Sequence, residues 1–320
     1  MIRRLRSPIE RRPSAAWMLI PALASACVVG GDKWPRPSEL TPDWLVDDAQ
    51  ILAVVAEPPE AVPGDVVTFS ALIPDPTDRL EAVVWLACPF TDDAESGLPV
   101  CALDTAGLDP ATASPEELAE LGVIGFEPGF PPTWLIPEDT LEGAEDPLEG
   151  LYATIQVIGL PSTDPTDTGL DLADLELGYK RLVVSEGTTR NQNPLIASIE
   201  VDGVAVTPGT SLVVDPHQKY TFELTLAEDA IETYVYVNDD GVSEERVEEP
   251  YVTWYATGGT LLESLTLYPY LDVEWRAGPY GQAATVWAVI RDRRGGMGWI
   301  ELVTASGPEA APRVTNGDSP

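Results

Sequence analysis

Few residues in this chain could do covalent or acid–base chemistry. His217 is the lone histidine, so a serine–histidine–aspartate arrangement would have to be built on it. It stands in the turn-forming run Asp215-Pro216-His217-Gln218, which reads as a backbone position and not as a catalytic one. No Gly-x-Ser-x-Gly elbow, phosphate loop or His-Glu-x-x-His element occurs. Paired carboxylates can hydrolyse glycosides, but 53 Asp and Glu supply such pairs by chance everywhere. One histidine and three cysteines, Cys27, Cys88 and Cys101, leave little for zinc. The expectation is a non-enzyme with no resident cofactor.

Calcium takes oxygen ligands alone, and three acidic clusters offer them: Asp92, Asp93 and Glu95; Asp164, Asp167, Asp171 and Asp174; Asn238, Asp239 and Asp240. In the middle cluster Asp164 precedes Gly169 by five residues, as in an EF-hand loop. Thr166 and Thr168 replace the next ligands, however, and Leu175 stands where the bidentate glutamate belongs. The clusters read as solvated loop acids, with Asp92, Asp93, Asp239 and Asp240 as weak calcium candidates. Aromatic side chains are the other lead. Tyr251, Trp254, Tyr255, Tyr268, Tyr270, Trp275, Tyr280, Trp287 and Trp299 crowd the second half of the chain, and exposed rings serve as platforms for sugars or partner proteins. Alternation along a strand puts Tyr255 on the face opposite Trp254. Tyr255, Tyr268, Tyr270 and Trp275 are the candidate ligand-binding set.

With 44% hydrophobic residues the 320-residue chain can bury real cores. Its formal charge of -35 excludes nucleic acid as a partner, because phosphate binding needs a basic surface.

The N-terminus reads as an export signal. Arg3, Arg4, Arg6, Arg11 and Arg12 precede an apolar run from Ala15 to Ala24, broken by Pro21. That run is shorter than the roughly 18 to 20 residues that span a bilayer. Leu23-Ala24-Ser25-Ala26-Cys27 resembles the bacterial lipobox, which implies cleavage before Cys27 and a diacyl anchor on its thiol. Val28 follows in place of the aspartate that retains such proteins in the inner membrane, so the resemblance implies the outer membrane. Setting Cys27 aside leaves Cys88 and Cys101 as an even pair in an oxidising compartment, expected to form a disulfide around a turn-rich loop.

The elements that would position these residues are strands. Residues 27–47 read as a lipidated tether, and from Ile51 short β-branched runs alternate with Pro, Gly and Asp clusters. The chain also repeats itself. Val62-Pro63-Gly64-Asp65-Val66-Val67-Thr68-Phe69 aligns with Asp215-Pro216-His217-Gln218-Lys219-Tyr220-Thr221-Phe222, which sets His217 against Gly64. Trp85 and Trp254 then sit in later strands, and Gly150 to Ile155 matches Gly281 to Val286. Such a turn, alternating strand, tryptophan strand and late strand pair resembles bacterial immunoglobulin-like and PKD-like sandwiches, in which an inward tryptophan anchors the space between sheets. The fold expected is all-β, with two tandem immunoglobulin-like β-sandwich domains at 48–187 and 194–305. Residues 1–26 would be the signal peptide, 188–193 a polar hinge and 306–320 a loose tail. Trp85 to Thr154 spans 69 positions against 31 from Trp254 to Thr285. The excess in the first copy holds the cysteine loop, a short helix at Ser114 to Gly122 with a proline start and glycine stop, and a proline-rich loop from Phe126 to Pro137.

This pattern resembles envelope lipoproteins of high-GC Gram-negative bacteria of myxobacterial type. It implies a structural or partner-recognition module, membrane-bound through Cys27 and facing the periplasm or the cell surface, with an envelope protein or polysaccharide as partner. Two alternatives are a carbohydrate-binding module using the second half's aromatics and a carboxylate-dependent hydrolase using the long insertion of the first copy.

Overall fold

The computed structural model describes residues 41–88, 115–120, 122–142, 144, 150–162, 174–187, 189–237 and 242–307. Cys27, Cys101, Asp92, Asp93, Asp164, Asp167, Asp171, Asp239 and Asp240 lie outside the described residues. From Asp43 onward the chain belongs to one compact unit. Its first lobe runs through β1 (Ala53–Glu57), β2 (Glu60–Ala61), β3 (Val66–Leu72), β4 (Leu80–Cys88), α1 (Pro115–Glu120), β5 (Val123–Glu127), β6 (Thr133–Leu135), β7 (Leu151–Pro161) and β8 (Glu176–Val184). The second lobe begins with β9 (Ile196–Val201), β10 (Val204–Val206), β11 (Ser211–Val214), β12 (Lys219–Leu226), β13 (Thr233–Val237) and β14 (Ser243–Val247). It continues with β15 (Tyr251–Ala256), β16 (Thr260–Leu261), β17 (Leu265–Leu267), β18 (Asp272–Arg276), β19 (Ala283–Arg291) and β20 (Met297–Ser306).

The architecture is mostly β-sheet and consistent with an immunoglobulin-like sandwich, and its topology repeats. One sheet of the first lobe has the order β2-β8-β7-β4-β5, and one sheet of the second has β11-β20-β19-β15-β17. In each a short strand lies parallel to the last strand of its lobe, β2 on β8 and β11 on β20, while the neighbours that follow are antiparallel. The facing sheets are β1-β3-β6 and β10-β9-β12-β18-β16. Trp85 on β4 and Trp254 on β15 occupy corresponding strands, both fully buried. Each packs on the phenylalanine of the facing sheet that the repeat aligned, Phe69 at 6.2 Å between ring centroids and Phe222 at 6.4 Å. The indole N–H groups are satisfied as burial requires: Trp85 donates to Glu127 Oε2 at 2.9 Å and Trp254 to Thr266 Oγ1 at 3.0 Å. The aligned turn also recurs. Gly64 and His217 both have left-handed backbone, φ +88° and +60°, so His217 sits at a turn position that favours glycine.

α1 is present, and Gly122 follows it at φ +83° with its amide on the Ala119 carbonyl at 2.9 Å. Other expectations need correction. The Phe126 to Pro137 stretch is not a free loop, since β6 within it pairs antiparallel with β3 and completes a sheet. The tether does not extend to residue 47: Val46 is buried, and the Val46 amide donates to the Ala256 carbonyl at 2.9 Å. Within the expected polar hinge, residues 189–193 are held in place, because Asn191 is buried and Asn193 bonds to both lobes. A Cys88–Cys101 disulfide is not found among the described residues, of which Cys88 is the one cysteine, Cys101 lying outside them. What the fold shows is Cys88 buried at the end of β4.

Candidate functional site

Two places concentrate unusual side chains, the seam between the lobes and one edge of the second lobe. The seam is organised by the turn between β19 and β20, whose Asp292 Oδ1 accepts the amides of Arg294 and Gly295 at 2.7 and 2.9 Å. That turn aims Arg294 at three carboxylates: Glu248 Oε1 at 3.0 Å, Glu232 Oε2 at 3.3 Å and, from the first lobe, Glu60 Oε2 at 3.6 Å. Glu60 also accepts from Ser185 Oγ at 2.6 Å and from the Asn191 amide at 2.8 Å. Asn191 Nδ2 returns to Asp292 Oδ2 at 2.8 Å, while Asn191 Oδ1 is the one buried side-chain polar atom described without a hydrogen-bond partner. Gly296 must be small, for a Cβ there would meet Asp292 Oδ2 and come within 2.6 Å of the Gln192 carbonyl.

Lys180 on β8 closes this seam from the first lobe, with Nζ donating to the Gly295 carbonyl. It is 3% exposed, and burial pulls its ammonium down to about 8, against the pull of Asp292 and with the push of Arg291. Glu248 is moved in the opposite sense, its carboxyl raised first by burial and also by Asp292, with the Glu232 amide and Arg294 resisting. Below the seam lies an apolar contact. Val46, Leu52, Ala53 and Leu72 pack on Trp287 and Val289, with Tyr255, Met297 and Trp299 at its margin. The arrangement couples the lobes through hydrogen bonds, ion pairs and apolar burial together. It offers no open site for a substrate, since Arg294 and Lys180 are already engaged.

The candidate aromatics separate under this geometry. Trp275 is not a surface platform; it is 1% exposed, donates to the Gly258 carbonyl at 3.0 Å and stacks on Phe222 at 5.5 Å. The alternation Asp272-Val273-Glu274-Trp275-Arg276, with Val273 and Trp275 inward, carried that signal in the sequence. Tyr255 does point away from the second lobe's core, as alternation requires, but the first lobe partly covers it. Tyr268 and Tyr270 are exposed, at 44% and 77%. They follow two exposed apolar side chains of the outermost strand β17, Leu265 and Leu267, while Leu262, also exposed, precedes that strand with its amide on the Glu274 carbonyl of β18 at 3.0 Å. Sequence reasoning placed the tyrosines and missed the leucines, whose spacing on either side of Thr266 puts both Leu265 and Leu267 outward.

In the first lobe two open apolar clefts of about 400 and 500 Å³ share Phe130. Glu127, which lines the smaller one, is committed to the Trp85 indole. Among the described residues no group of three or more His, Cys, Asp or Glu is arranged to hold a metal ion, and no helix is long and apolar enough to cross a membrane.

No family model matches the chain, and no curated protein does. Among solved structures there are weak likenesses at low identity. Three N-terminal domains of the highly immunogenic outer capsid protein Hoc of bacteriophage RB49 are 11% identical, covering 81% of this chain and 71% of that one at a TM-score of 0.23. The D0-D1 domain of intimin is 11% identical, covering 80% and 99% at 0.20. Dimeric latent PorU from Porphyromonas gingivalis is 10% identical, covering 81% and 34% at 0.21.

Proposed function

We propose that this chain is a lipoprotein of the bacterial outer membrane, anchored through Cys27, whose tandem immunoglobulin-like domains at 48–187 and 194–305 present a binding surface without catalysis. The observation that carries the reading is the exposed edge of Leu265, Leu267, Tyr268 and Tyr270 on a lobe whose position is fixed by the Arg294 seam. Contiguous exposed apolar side chains with tyrosines mark partner surfaces more often than isolated ones do. A fixed platform loses little freedom on binding. An envelope protein is the partner this strip suits.

The test is a photo-cross-linking residue placed at Tyr270 in cells, with Val213 as control, an exposed position on β11 at the opposite edge of the same sheet. An envelope-protein adduct specific to position 270 supports the reading, and identical adduct patterns at both positions overturn it. The anchor is checked separately, as Cys27→Ser should leave the membrane fraction. A second reading follows from the two exposed tyrosines, a polysaccharide ligand. It requires that retention on insoluble cell-wall polysaccharide fall with Tyr270→Ala.

A further inference from the structure

β13 and β14 form a two-stranded sheet of their own, inserted between β12 and β15 where the first lobe passes directly from β3 to β4. The base of this hairpin is fixed to the lobe. The Glu248 amide donates to the Glu232 carbonyl at 2.9 Å, the Glu232 amide donates back to Glu248 Oε2 at 3.0 Å, and Arg294 covers the Tyr234 ring at 4.5 Å. Beyond the base the ribbon stands in solvent. All five residues of β14 are exposed, and Val235 and Val247 on one face are 66% and 59% exposed. Two strands alone are marginally stable in water, and among the described residues each has one edge without a neighbouring strand.

The two edges differ in chemistry. β14 reads Ser243-Glu244-Glu245-Arg246-Val247, with Arg246 and Glu244 paired at 2.9 Å, and charged side chains of this kind keep edge strands from pairing. β13 reads Thr233-Tyr234-Val235-Tyr236-Val237, all strong strand formers and none charged. Arg246 lies over the Tyr236 ring at 3.7 Å and helps hold it in place.

We propose that the open edge of β13 pairs antiparallel with the same edge of a second copy of this chain, giving a four-stranded β14-β13-β13-β14 sheet about a two-fold axis at Val235. Centring on Val235 keeps the faces in phase. Val235 then opposes the partner's Val235, and Tyr234 opposes the partner's Tyr236, with no charge set against a like charge. Aromatic and β-branched cross-strand pairs are the favourable ones. Pairing through β14 about its own centre would instead set Glu245 against Glu245. With β13 at the middle, the charged β14 strands are outermost, so the sheet closes as a dimer and does not grow. The formal charge of -35 on each copy opposes association, so screening by salt favours the dimer. This inference is independent of the Tyr270 strip.

The test measures the mass of the purified full chain by sedimentation at about 0.05 and about 0.5 M NaCl, a change that shortens the screening length roughly threefold. The expected result is a mass that doubles with protein concentration, more readily at the higher salt, and a Val235→Lys variant that stays monomeric at both. Val235→Cys should form a reducible covalent dimer under mild oxidation, while Val247→Cys, one strand removed on the same face, should not exceed the parent. A monomer at all concentrations overturns the proposal. So does a dimer untouched by Val235→Lys, which would place the contact on another surface such as the β17 edge, and so does equal cross-linking by the two cysteine variants.

Discussion

Replacing Lys180 by methionine should abolish a pH dependence that the buried ammonium imposes on stability. Lys180 lies on β8, 3% exposed, with Nζ on the Gly295 carbonyl, and burial is the largest influence on it. Its folded value of about 8 stands below the ordinary 10.5. A depressed lysine weakens the fold wherever the group is charged in both states, and the cost is relieved as pH rises from the folded value toward the unfolded one. For a shift from 10.5 to about 8 the cost is about 3 kcal/mol at pH 7 and about 1.4 kcal/mol at pH 9.5, a gain of about 2 kcal/mol over that window. The assay is urea unfolding followed by tryptophan fluorescence at several pH values from 7 to 9.5, for wild type and Lys180→Met. Methionine has similar length and leaves Asp292 its contacts with the Arg294 and Gly295 amides and Asn191 Nδ2. The wild type should gain about 2 kcal/mol relative to the variant as pH rises. Parallel profiles for the two proteins would mean that the Lys180 ammonium carries no such cost.

Removing the central cation of the seam should be costly. Arg294→Ala leaves Glu60, Glu232 and Glu248 facing one another in a largely buried setting, and the expected loss is about 3–5 kcal/mol in urea unfolding. Arg294→Lys should fail to restore most of it, because one ammonium cannot reproduce the guanidinium's planar set of donors. His217→Gly should stabilise the protein by up to about 1 kcal/mol, since φ +60° costs a residue bearing a Cβ more than it costs glycine. A loss of stability on that change would mean that the imidazole has a role beyond the turn.

Much of the framework was legible in the residues. Period-two alternation identified the strands, the two tryptophans marked the core, and alignment of Gly64 with His217 found a turn whose left-handed backbone both residues share. The alternation of Asp272 to Arg276 also assigns Trp275 to the core, a stronger signal than the crowding of aromatics around it. Proline density in the insertion suggests a loop and hides β6, because that strand is three residues long and held by pairing with β3, a partner more than sixty residues away in the chain.

Residue order alone settles which face of each strand turns inward, since neighbouring side chains on a pleated strand must point oppositely and the apolar ones are driven from water. It also determined the repeat, a purely linear property. What the outward faces meet depends on the assembled fold. Tyr255 and Trp287 leave one core to be covered by another part of the chain, and Arg294 finds Glu60, Glu232 and Glu248. Those partners are separated by more than two hundred residues in the case of Arg294 and Glu60, and no local pattern encodes them. Burial of an ion-paired seam is a property of the assembled surface, where the cost of desolvating each charge is set by all its neighbours at once.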